Sequence, residues 1–259
     1  MVLVGFSTLG YAQELAAPEV SYAHNNKVAD QQEWGWDISL GMAIFHENSV
    51  YLGADGRTEE LPYLSIEWGP FFFEGDSLGM FLYGGDNWWV AASVGFDMFG
   101  DTGRGDSLEL KDMTELDDVY NASIMTFYEA GWGALDLQLS TDVSNKHDGT
   151  IGFLSYSYPL NYKNWELSPY LSAQWVSSEI TQYYAGVSEV DARRGRPAYT
   201  SKSGTNFGLG ISGEYSINNK HSVLVDLKGT MYSDELKDSP IIDTDDVVFS
   251  ALVGYLYHF

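Results

Sequence analysis

Toward the end of the chain every second position is apolar or aromatic: Val247, Phe249, Ala251, Val253, Tyr255, Tyr257 and Phe259. The residues between them, Val248, Ser250, Leu252, Gly254, Leu256 and His258, are smaller or more mixed. A strand puts successive side chains on opposite faces, so this period of two predicts a strand with one strongly aromatic face. The same period starts at Trp34, where Trp34, Trp36, Ile38, Leu40, Met42 and Ile44 oppose Gly35, Asp37, Ser39, Gly41 and Ala43. It recurs at 62–69, 87–99, 133–142, 165–177, 205–215 and 220–232. Segments 119–128 and 149–159 are strand-like, with faces the pattern does not separate. Phe71–Phe73 and Leu78–Tyr83 form a short hairpin around Gly75-Asp76. Counting it gives twelve strands; leaving it out gives ten. No helical period is sustained over several turns.

One face of each segment suits lipid, whereas the small and polar face does not and must line a lumen. No stretch holds the roughly 18 consecutive apolar residues of a spanning helix. The expected fold is therefore all-β, a transmembrane antiparallel up-and-down barrel over residues 34–259, because closed barrels and helices alone satisfy the backbone in lipid. An aromatic residue closing the final strand resembles the C-terminal signature of bacterial outer-membrane barrels. That resemblance implies Tyr255, Tyr257 and Phe259 as an assembly signal read by the barrel-assembly machinery, and the outer membrane of a Gram-negative bacterium as the location. Working back from Phe259, the connections at about 84–86, 129–132, 160–164 and 216–219 fall on the periplasmic side, and all are short. Those at about 49–61, 100–118, 178–204 and 233–244 fall outside, and most are long. Sorting by parity is expected of a membrane barrel and not of a soluble sandwich. Residues 1–12 read as a signal peptide truncated at its front, with Gly10-Tyr11-Ala12 suited to cleavage. Residues 13–33 then form a periplasmic lead-in.

Composition narrows the function classes. A formal charge of −24, with 37 acidic against 13 basic residues, disfavours nucleic acid, whose phosphates call for clustered cations. The absence of cysteine removes disulfides and thiolate zinc sites. Aromatic residues, 15% of the chain, suit pleated surfaces. Trp34, Trp36, Trp68, Trp88, Trp165, Tyr255 and Tyr257 are expected in interfacial girdles against lipid and lipopolysaccharide.

The candidate chemistry lies on the lumenal face and in the outer loops. Asp37, Glu67, Asp97, Asp136, Glu166, Glu214 and Asp226 point inward by alternation, against Lys228 alone. Carboxylates in a dry interior must be solvated, protonated or paired. Arg193, Arg194 and Arg196, in the longest outer loop, are candidates to fold inward as a plug and meet these acids; the alternative leaves them at the rim against lipopolysaccharide phosphates. A plugged lumen leaves at most a narrow, cation-preferring path. The acids of loop 100–118 lack EF-hand spacing and read as a solvated loop. Arg104-Gly105-Asp106 matches a cell-adhesion tripeptide, too short to carry weight alone. His147-Asp148 and His46-Glu47 are the places where a hydrolase pair might sit, yet no Gly-x-Ser-x-Gly or His-Glu-x-x-His accompanies them. No catalytic residue, metal or cofactor is expected.

Gln182-Tyr183-Tyr184-Ala185-Gly186-Val187, then Gly195-Arg196-Pro197-Ala198-Tyr199, a Gly-rich strand, and Asp238-Ser239-Pro240-Ile241 before the aromatic C-terminal strand together resemble the MipA/OmpV family of outer-membrane proteins. Within these motifs Tyr183, Tyr184, Gly186, Pro197, Tyr199, Asp238, Ser239 and Pro240 carry the likeness. It extends to Leu61-Pro62, placed before the second strand, and to Phe71-Phe72-Phe73-Glu74-Gly75. The chain departs from the family in its acidity. The resemblance implies a monomeric, non-enzymatic barrel, a scaffold or interaction protein of the envelope that links murein-synthesising and murein-hydrolysing enzymes. A narrow diffusion channel for small cations or solutes is the second reading and an outer-membrane hydrolase the third.

Overall fold

The computed structural model describes residues 35–97, 99–244 and 247–259. Residues 1–34 and Met98 lie outside this range, and with them the expected signal peptide, the lead-in and Trp34.

The described chain folds into thirteen antiparallel strands: β1 (Trp36–Glu47), β2 (Arg57–Trp68), β3 (Phe71–Glu74), β4 (Ser77–Gly85), β5 (Trp88–Phe96), β6 (Tyr120–Ala130), β7 (Gly133–Asp142), β8 (Thr150–Ser157), β9 (Leu160–Tyr162), β10 (Trp165–Val176), β11 (Gly204–Asn218), β12 (His221–Met231) and β13 (Val248–His258). Apart from β8, which pairs onward with β10, each strand pairs with the next in sequence, and β13 returns to β1, so the sheet closes. β9 bonds only to β10 and continues the line of β8 beyond Tyr158-Pro159. Proline lacks the N–H a ladder needs and interrupts the stave there. The barrel therefore has twelve staves, as the count with the short hairpin predicts.

Alternation sets the faces. In β13, Phe249, Val253 and Tyr255 are exposed on the outside while Val248, Leu252, Gly254 and Leu256 are buried. In β6 the structure resolves what the pattern left open: Asn121, Ser123 and Phe127 point inward. β2 begins earlier than the 62–69 period indicates, so Leu61-Pro62 lies inside this strand rather than before it.

The lumen is more apolar than the small and polar face predicts. Phe72, Trp89, Ala91, Phe127 and Ala134 form one buried cluster, with Phe81 against it. The rings follow one another: Phe72–Phe81 at 5.1 Å, Phe81–Trp89 at 5.4 Å and Trp89–Phe127 at 5.9 Å between centroids. Gly79 makes room for them, since a Cβ there would stand 2.1 Å from the Phe72 ring. A second layer joins Phe45, Leu61 and Leu252. Outside, aromatic pairs such as the stacked Trp36–Trp68 and the tilted Trp165–Tyr215 ring the inner rim, where the residues of the short turns also gather.

Candidate functional site: a capped lumenal chamber

Four outer loops meet over the mouth of the barrel. The loop after β10 carries α1 (Ser178–Ala185), and the loop after β12 carries α2 (Asp234–Lys237). Their joint core is apolar: Tyr51, Leu110, Met113, Val187 and Ile241, from four different loops, are all buried together. Backbone bridges Tyr51–Ile242 and Val187–Tyr199 fix the loops to one another and to themselves. The Tyr199 hydroxyl donates to the Glu235 carbonyl at 2.8 Å, and Ser239 donates to the Ala185 carbonyl. The motif residues Tyr184, Gly186, Tyr199 and Ser239 thus build one structure, the cap. Tyr183 joins it through the Asp117 backbone. Pro197 is exposed in the same loop, and Asp238 and Pro240 flank Ser239.

The arginines act within the cap. Arg196, 3% exposed, donates to both carboxylate oxygens of Asp112 and to the Asp191 carbonyl, and Arg193 reaches Asp112 at 2.8 Å. They meet the acidic loop 100–118 and not the inward acids, because that loop folds back over the mouth. Arg194 is exposed. The Arg196 hydrogen bond, with Arg193 beside it, holds the Asp112 carboxyl below its ordinary range. Arg104 is buried and donates to the Thr114 carbonyl, so the Arg104-Gly105-Asp106 tripeptide is not displayed for adhesion.

Below the cap Asp97 and His147 form a latch, both side chains fully buried. One Asp97 oxygen accepts from the Phe99 backbone N–H and the Asn121 amide, each at 3.1 Å; the other accepts from the Tyr184 hydroxyl at 2.9 Å and faces His147 Nε2 at 3.1 Å. His147 Nδ1 accepts from the Gly149 N–H at 2.9 Å, which leaves the proton on Nε2, aimed at Asp97. Burial, and then the Asp97 carboxylate, push the Tyr184 hydroxyl far above its ordinary pKa. Both ring nitrogens of His147 are engaged away from solvent, and Asp148 is not its partner. His46 instead pairs outward with Thr58. His147, closed off from solvent, is no accessible base, whereas His46 meets the exposed Thr58 hydroxyl at 2.8 Å.

The remaining inward acids spread down the wall. Asp136 and Asp226 are buried, and Asp226 accepts from the Tyr170 hydroxyl. Glu166 and Glu214 sit opposite each other on β10 and β11, as Asp37 and Glu67 do on β1 and β2, near the inner mouth. His258, which alternation placed inward without a role, lies between Ser39 and Ser222 and 3.9 Å from Glu214. Between cap and wall lies an empty volume of about 1090 Å³, including its part open to solvent, lined among others by Phe45, Arg57, Gln174, Asn206, Lys228 and Tyr232. Arg57 there is shared by Glu59 at 3.4 Å, Asp101 at 3.5 Å and Glu47 at 3.8 Å. Among the described residues no group of three or more His, Asp or Glu side chains is arranged to hold a metal.

A closed twelve-stave antiparallel barrel, apolar outside and capped at one end, is an outer-membrane β-barrel. The family model described as "MltA-interacting protein MipA" matches residues 40–259, and the chain belongs to that family. It is similar to the putative outer membrane protein YiaT of Escherichia coli (strain K12), 23% identical over 226 residues, which cover 86% of this chain and 91% of the relative. It is likewise similar to the MltA-interacting protein of the same strain, 24% identical over 209 residues, covering 80% and 84%. Among solved structures, an outer membrane channel from Pseudomonas putida F1 covers 88% of this chain and 97% of its own, with a TM-score of 0.43 and 12% identity.

Proposed function

We propose that this outer-membrane barrel is a non-enzymatic interaction protein of the cell envelope, a monomeric scaffold whose partners are periplasmic murein-synthesising and murein-hydrolysing enzymes. The observation that carries this reading is the double closure of the lumen. The Phe72–Phe81–Trp89–Phe127 layer fills it on one side, and the cap covers the mouth. Among the described residues no wide pore remains and His147 is closed off from solvent, so the surface is the working part. A relative named for interaction with MltA supports the choice of partner. The turns at 69–70, 86–87, 131–132, 163–164 and 219–220 present a short, even rim to the periplasm. The test is a pull-down of the tagged barrel from detergent-solubilised envelope. Enrichment of murein enzymes over an unrelated barrel supports the proposal; their absence, together with clear single-channel conductance, overturns it.

A narrow cation-preferring path is the second reading, favoured by the paired acids at the inner mouth, Asp37 with Glu67 and Glu166 with Glu214. It requires a small conductance that prefers cations, reduced by Asp136→Asn. A large or anion-preferring conductance would exclude it.

A further inference from the structure

The barrel wall is incomplete in one place. β2 pairs with β1 along Arg57–Trp68 but with β3 only over Ser65–Trp68. The cause is the brevity of β3: Gly75, at φ +58°, turns the chain back after Glu74. On the far side, β5 pairs with β4 no further than Val94 and runs on to Phe96 beside β6 alone. Among the described residues no strand pairs with Arg57–Tyr63 on this side. The Leu64 carbonyl, which accepts from the Gly75 N–H at 3.0 Å, marks the direction. By alternation the backbone groups of Pro62, Glu60 and Thr58 aim the same way. Pro62 has no N–H to leave there, which is why an edge strand tolerates it. The Leu61-Pro62 and Phe71–Gly75 motifs therefore border the same gap.

The gap starts at membrane depth. Glu74 lies three residues beyond Phe71 of the inner aromatic belt, about 8 Å at ~3.3 Å per residue and a tilt of roughly 40°. The apolar band of such barrels is about 25 Å tall. From β2 to β5 the wall skips three spacings, roughly 14 Å. An open sheet edge is not stable against hydrocarbon, and backbone of this kind at membrane depth borders a cavity.

The lip is rich in acceptors. Glu74 accepts from the Tyr63 hydroxyl at 2.7 Å, and Asp76 Oδ1 from Ser77 Oγ at 3.2 Å. Asp76 Oδ2, Glu59 Oε2 and Ser93 Oγ are buried with no hydrogen-bond partner, and Ser93 is 6% exposed. The base beside this edge, Arg57, already serves three carboxylates. Behind the lip stand Leu61 and Phe72, both buried and apolar. Ionisable groups at this depth mark functional sites, and here acceptors left without donors select a head rich in N–H donors joined to an apolar tail.

We propose that the gap is a lateral window between the lumen and the outer membrane layer that admits a lipophilic ammonium ion. Its head is held at Glu74, Asp76 and Ser93, and its chain runs along Leu61 and Phe72. This stands independently of the interaction reading.

The folded barrel in neutral maltoside detergent is titrated with dodecylammonium, with dodecanol as the uncharged probe. Saturable binding of the ammonium is expected, weakened about tenfold by Asp76→Asn and unchanged by Glu189→Gln in an exposed outer loop. Equal binding of both probes, or no change in Asp76→Asn, overturns the site. Since the chain has no cysteine, a single Leu61→Cys in lipid vesicles reports access. It is expected to react with a membrane-dissolved alkyl maleimide at least tenfold faster than Ala134→Cys, buried in the lumenal wall. Ser93→Cys replaces it where heat-modifiable migration shows that Leu61→Cys has not folded. Equal rates overturn the window.

Discussion

Asp97→Asn tests the latch. The carboxylate takes four hydrogen bonds, two on each oxygen, in a site closed to water. The amide fills the same volume, but its NH₂ group turns toward two donors whichever way it is oriented. Each donor left without an acceptor costs about 1–3 kcal/mol, so the cap is destabilised by roughly 2–6 kcal/mol. At ~3 kcal/mol the population of the open cap rises on the order of a hundredfold. Exchange by local opening scales with that population. The assay is amide hydrogen exchange of the folded barrel, read at Gly186, Val187 and Tyr199, whose N–H groups bond within the cap. These amides are expected to exchange about a hundred times faster in Asp97→Asn, while those of β11 stay unchanged. A change under about threefold would mean that Asp97 does not hold the cap, and the latch argument would fail.

Arg196→Lys keeps the charge but loses the two-pronged grip on Asp112, so the cap should loosen by about 1–3 kcal/mol, seen as faster exchange around Asp191. The Asp112 carboxyl is held below its usual range by Arg196 and Arg193. A depressed folded pKa contributes stability that is present above the ordinary value of about 4 and is lost as pH falls through the lower folded value. Nicking of loop 100–118 by an acid protease should therefore rise only well below pH 4, and a rise between pH 5 and 7 would contradict the pairing. Phe127→Ala removes a lumenal ring that is 1% exposed; the expected cost is about 3–5 kcal/mol, with larger single-channel conductance than the parent. An unchanged conductance would place the constriction in the cap instead.

The strands were legible because lipid enforces a strict alternation on one face. β1 and β13 read correctly residue by residue, and the parity of loop lengths oriented the barrel. The lumenal face obeys a weaker rule. Trp88 and Trp89 are adjacent, as are the three Phe of β3, and period two cannot say which ring turns inward where both neighbours are aromatic. The ring layer of the lumen therefore leaves no trace in the alternation. α1 spans two turns and leaves too short a helical period to register. Arg193 and Arg196 bond to Asp112, some eighty residues away in another loop. Acidic residues abound there, and no local signal distinguishes Asp112 from its neighbours. The latch was hidden in the same way, since Asp97, His147 and Tyr184 come from three separate loops.

The seam between β1 and β13 brings a kinetic burden. Ser39 meets His258 across a sequence separation of 219 residues. Every other stave pairs with a neighbour in sequence, so zippering can proceed locally and quickly, whereas this joint must await the whole strand series. Contacts of such separation slow folding. Until they form, the curved sheet carries two free edges able to capture each other's equivalents on another molecule. The vulnerable state of this protein is thus an open ribbon, and the step that ends its exposure is ring closure.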